Sequence, residues 1–136
     1  MLMLALLLAA TAQPAAVIDE AGTITVTASR LPELEAAALA CAADPCGTRK
    51  DVAVSVAYAS ALFDDGRYLD AKRILAAAVA RQRKAGKVEP IAVATLYQAQ
   101  ATLAMHEGEQ DVLEQATWRS ATTLQAAVSY THLTLP

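Results

Sequence analysis

One residue in four of this chain is alanine, 33 of 136. Alanine is the strongest helix former, because it loses no side-chain freedom on entering a helix. Its methyl buries too little surface to fill the gap between facing sheets. A chain of this kind buries apolar area by letting helices approach closely. Aromatic residues make up only 4% of the sequence, which argues against a β-sandwich core. With 55% hydrophobic and 18% charged residues, long-range disorder is excluded. The length corresponds to about one domain. A net charge of −3 gives no electrostatic pull toward nucleic acid.

Both ends are set apart from the middle. Met1 to Ala10 is an uncharged apolar run, shorter than the roughly 20 residues a membrane span needs. It has the length of a signal-peptide core, and Ala10-Thr11-Ala12 supplies small residues around a cleavage site before Gln13. No Lys or Arg precedes the run; a buried N-terminal helix is the alternative. Residues 1–12 are therefore expected to be a signal peptide. The mature chain is then exported or periplasmic, with no membrane span after cleavage. Helix-compatible sequence stops near Ala127. Residues 128–136, Val-Ser-Tyr-Thr-His-Leu-Thr-Leu-Pro, resemble a translated transposon mosaic-end sequencing adapter. That resemblance implies a non-native tail and a gene that continues past residue 127.

Thr23 to Ser29 alternates β-branched and polar residues with period two, a strand signal. Residues 13–30 read as an extended leader with a possible lone strand. With Arg30-Leu31-Pro32, the segment also resembles the stretch near the mature N-terminus of TonB-dependent receptors, which would imply an envelope partner. Pro32 suits the first turn of a helix carrying Leu34, Ala37, Ala38 and Cys41 at helical spacing. Asp44-Pro45 ends it. Thr48 and Asp51 form a weak capping box for the next helix. From Arg49 the pattern is helical, with turns at Asp64-Asp65-Gly66 and Glu107-Gly108-Glu109 and a loop over Ala85–Pro90. Gly86 is expected near the C′ position of a helix over Arg67–Lys84. Cys41 and Cys46 are the only cysteines. Such a close pair in an exported protein reads as a disulfide, contributing about 2 kcal/mol for so small a loop. A redox pair or half a metal site is the alternative.

Around Gly66, Ala59 and Leu62 precede the turn by seven and four, and Tyr68, Ala71, Leu75 and Ala78 follow it by two, five, nine and twelve. This alternation of small and bulky residues about a turn glycine resembles a tetratricopeptide repeat. A second, more divergent unit has Gly108 at the turn, with Ala101 and Ala104 before it and Leu113, Thr117 and Ser120 after it. Fold class is thus expected to be all-α: antiparallel helical hairpins at about 49–84 and 91–127, in a repeat domain over 31–127. The resemblance implies a scaffold that binds a protein or peptide partner in the cell envelope. Ser55, Tyr58, Leu62, Tyr97, Gln100 and Ala104 are the candidate groove residues. The alternative is a non-catalytic N-terminal module of a TonB-like energy-transducing protein, since a signal peptide, a threonine–valine segment and such hairpins occur together there.

No catalytic constellation, cofactor motif or metal-ligand spacing is present, so no enzyme is expected. Ser55 and Ser60 lack a nucleophile elbow and a base. His106 suits a helix C-terminus, where its charge opposes the dipole, and Asp64-Asp65 suits turn chemistry. Trp118 reads as packing, or, if exposed, as a partner anchor. Seven of the eleven basic residues fall between Arg67 and Lys87, which is either a solvated helix face or a docking stripe for an acidic partner.

Overall fold

The computed structural model describes residues 14–18, 24–28 and 30–134, with side chains over 30–129. The expected signal peptide, residues 1–12, lies outside the described residues. Strands β1 (Pro14–Ile18) and β2 (Ile24–Ala28) pair antiparallel, Pro14 opposite Ala28 and Ile18 opposite Ile24. The strand expected to stand alone therefore has a partner. The partner gave little signal in sequence because its two alanines favour helix over strand.

The other described residues are helical apart from short connections. Helix α1 (Leu31–Ala43) begins with Pro32 in its first turn. It ends at Asp44, whose extended backbone (φ −134°, ψ 111°) is what the following proline demands. Leu31, Leu34 and Ala38 pack against the core and Cys41 is buried, whereas Ala37 is exposed. A disulfide joins Cys41 to Cys46 with the Cα atoms 5.2 Å apart. It ties the end of α1 to the entrance of α2 (Thr48–Asp64).

Helices α3 (Tyr68–Gln82), α4 (Pro90–Glu107) and α5 (Gln110–Thr134) follow, with a short 3-10 helix at Arg83–Lys87. The turns after α2 and α4 are built alike. Gly66 and Gly108 take left-handed backbones (φ 78° and 71°). The next amide reaches back five residues in each, Arg67 to the Leu62 carbonyl at 2.8 Å and Glu109 to that of Ala104 at 2.9 Å. This closes the helix end with the bonds that only a left-handed residue permits, and glycine adopts it without a Cβ penalty. Helix α2 packs on α3 and α4 on α5, while α4 also lies against α2 and α3.

Three boundaries differ from expectation. Gly86 is not a left-handed cap; it sits inside the 3-10 helix, where an added Cβ would lie 3.6 Å from Thr123 and 3.7 Å from Val93. Helix α5 continues to Thr134, because no proline interrupts it before Pro136. Thr48 does not cap α2: the N-cap is Gly47, at φ 90°, with no side-chain cap bond.

The core is one cluster that includes Val52, Tyr58, Ala59, Leu62, Leu75, Val93, Leu96, Tyr97 and Leu103. Ala59, Ala71 and Ala78 are buried at the contact of α2 and α3, Ala78 completely. Tyr68, expected on the inner face of α3, is 44% exposed. It stands at the first position of α3, and its ring lies against Phe63 across the turn.

Candidate functional site

The polar centre of the molecule is Asp51. Its carboxylate, 3% exposed, accepts two bonds from Arg81 (both 2.9 Å), one from Gln82 (2.6 Å) and one from the Ser55 hydroxyl (3.2 Å). Burial alone would push this carboxyl up. The hydrogen bonds from Arg81 and Gln82, the guanidinium charge and the Ser55 bond outweigh it and hold the group below the usual carboxylate range. Arg81 is in turn held above its ordinary value, chiefly by the same hydrogen bond. The network joins the first turn of α2 to the last turn of α3, so the chain returns on itself through Gly66. In the sequence Asp51 has the place of a helix-cap residue, since partners 30 and 31 residues away carry no local signal. No buried side-chain N or O among the described residues lacks a partner. The network thus leaves none of its buried polar atoms unpaired.

Of the six candidate groove residues, Gln100 and Ala104 line a small cleft of about 80 Å³ beside Lys72 and Glu109, and none of the six lines the larger cleft between α2 and α4. Ser55, Tyr58, Leu62, Tyr97 and Ala104 are buried, Leu62 completely. Burial pushes the Tyr58 phenol up, with help from the Glu35 carboxylate. Gln100 is half-buried. One residue along a helix is a rotation of about 100°, and the open face lies one step away. Val56, Ala59, Ser60 and Phe63 of α2 face Thr95, Gln98, Ala99 and Thr102 of α4 across a cleft of about 380 Å³. Its floor is Ala71, Leu75 and Leu103, and Asp64 is its one charged lining residue. Hydrophobic spacing alone did not separate the two faces, because Val56, Ala59 and Phe63 are as apolar as their neighbours.

Phe63, the aromatic lining residue of this cleft, meets two further rings. It meets the Tyr68 ring at 5.1 Å and the His106 ring edge-on at 4.8 Å. His106 is exposed at the end of α4, as its position implied. Trp118 is 71% exposed on α5 and so is not a core residue. In the second unit, Thr117 is exposed and Ala116 is buried in its place. The register of α5 is thus shifted by one residue relative to α3 before Ser120 returns to the buried face, its hydroxyl on the Ala94 carbonyl (3.2 Å).

Among the described residues, no group of three or more His, Cys, Asp or Glu is placed to hold a metal ion. No described helix is long and apolar enough to cross a membrane. Comparison of the chain with family models, with curated proteins and with solved structures finds no match.

Proposed function

We propose that this chain is a tetratricopeptide-like scaffold of the bacterial envelope that binds a peptide in the cleft between α2 and α4. The carrying observation is that cleft. It has an apolar floor and walls, a rim of Ser60, Thr95, Gln98 and Thr102, and almost no charge. Extended peptides bind in such places, with main-chain groups meeting rim hydroxyls and amides and apolar side chains filling the floor.

The repeat reading rests on two hairpins set 42 residues apart, from Gly66 to Gly108. Their closing bonds match, and buried small residues stand at Ala78 and Ser120. Export rests on the disulfide, since such bonds persist in oxidising compartments.

Panning a displayed peptide library on the chain tests the proposal. Sequences rich in apolar residues are expected to be enriched. Ala99→Arg, which places a charge in the half-buried wall of the cleft, is expected to abolish the enrichment with the helical circular dichroism unchanged. Equal enrichment on Ala99→Arg refutes the cleft as the binding site.

A further inference from the structure

The basic run between Arg67 and Lys87 is not one uniform stripe. Arg67 and Arg73 pair with Asp70, Lys72 with Glu109 and Arg81 with Asp51. Arg83, Lys84 and Lys87 have no ion pair among the described residues, and all three are exposed. They line a second cleft, of about 980 Å³, between the 3-10 helix and the C-terminal part of α5. The other wall is Thr122, Thr123, Ala126 and Ala127, and Val88 and Pro90 close one end. Among the described residues, no carboxylate lines it. In a chain of net charge −3, this is a local concentration of uncompensated positive charge.

We propose that this cleft binds an acidic peptide segment carrying aliphatic side chains. The three cations supply the attraction for carboxylates. Thr122 donates its hydroxyl proton to the carbonyls of Trp118 and Arg119, and Thr123 donates to Arg119. Both hydroxyls are thereby turned onto their own helix backbone, and Thr123 holds its Cγ2 methyl toward Gly86, 3.6 Å from where a Cβ there would stand. Val88, Pro90 and the two alanines give aliphatic side chains an apolar surface. Among the described residues, the lining holds no aromatic ring on which a nucleic-acid base would stack. The cations also flank a concavity rather than a flat face, which suits a segment of chain better than a membrane surface. This cleft shares no lining residue with the one between α2 and α4.

The test is fluorescence anisotropy of a labelled peptide of alternating glutamate and leucine, titrated with the full chain. Binding that weakens as salt rises is expected. The double variant Lys84→Glu, Lys87→Glu is expected to weaken it by about tenfold or more, from the summed loss and reversal of exposed charge pairs. Lys50→Glu, an exposed cation outside the cleft, and Ala99→Arg in the other cleft are expected to leave it unchanged. Four results overturn the proposal: no binding by the wild-type chain, equal binding by the double variant, equal binding of the matched lysine–leucine peptide, or displacement by inorganic phosphate or anionic vesicles at equivalent charge. Circular dichroism of the double variant must match the wild type. If it does not, Arg83→Gln with Lys84→Gln is read instead, with weaker binding expected and unchanged binding overturning the proposal.

Discussion

Replacing Asp51 by alanine removes the acceptor of four hydrogen bonds and leaves the Arg81 guanidinium without its counter-charge. Breaking a buried ion pair by deleting one partner costs about 3–5 kcal/mol. Here the Arg81 side chain is 32% exposed, so water recovers part of its lost solvation. The expected cost is about 3 kcal/mol, the low end of that range. For a helical domain of this size, that lowers the midpoint of thermal unfolding by roughly 10–20 °C. Urea unfolding followed by circular dichroism gives the free energy directly. A cycle with Arg81→Ala separates the pair from the rest, and the double variant should lose much less than the sum. Acid supplies an independent arm. The folded-state value of Asp51 is lowered, so its contribution is complete above the unfolded value of about 3.9 and is lost as pH falls through the folded value. The gap between wild type and Asp51→Ala should therefore shrink on acidification. A cost below about 0.5 kcal/mol, the scale of an ordinary surface substitution, or a gap that persists after full protonation, refutes the reasoning.

Ala78→Leu should destabilise by about 1–3 kcal/mol, because the added carbons have no space at a fully buried helix contact. Ala77→Leu, one step around on the exposed face, should stay within about 0.5 kcal/mol of wild type. Reducing the Cys41–Cys46 bond should expose two alkylatable thiols and lower stability by about 2 kcal/mol without unfolding α2 to α5; alkylation of unreduced protein would show the bond absent. Gly66→Ala should cost about 1–2 kcal/mol, from the left-handed backbone alone, since an added Cβ there meets nothing within 4 Å. Urea midpoints measure all of these.

Local chemistry was readable at several points. Pro32 and Pro45 bracket α1 because each restricts backbone angles wherever it stands. Gly66 and Gly108 end α2 and α4 because a left-handed residue is required there. The burial of Ala71, Leu75 and Ala78 follows from their spacing along one helix face. The clefts were not readable. Ser55, Tyr58 and Leu62 stand next to Val56, Ala59 and Phe63 in an apolar helix, and which set meets the core depends on where α1, α3 and α4 settle around α2. Tyr68 and Trp118 matched core residues by type, yet each faces water because its position on the helix turns away from the neighbour.

Alanine content, turn glycines and prolines settled by themselves that the main body of this chain is helical and where α1, α2 and α4 end. Those are short-range preferences of the backbone, which act before any helix meets another. Only the tertiary structure decided that Asp51 reaches Arg81 and Gln82, and that Lys72 finds Glu109 while Arg83, Lys84 and Lys87 are left open; Arg67 and Arg73 share Asp70 within three residues. Pairing across 30 or more residues is set by how two helices lie side by side, and a charge carries no mark in sequence of the partner that packing will bring to it.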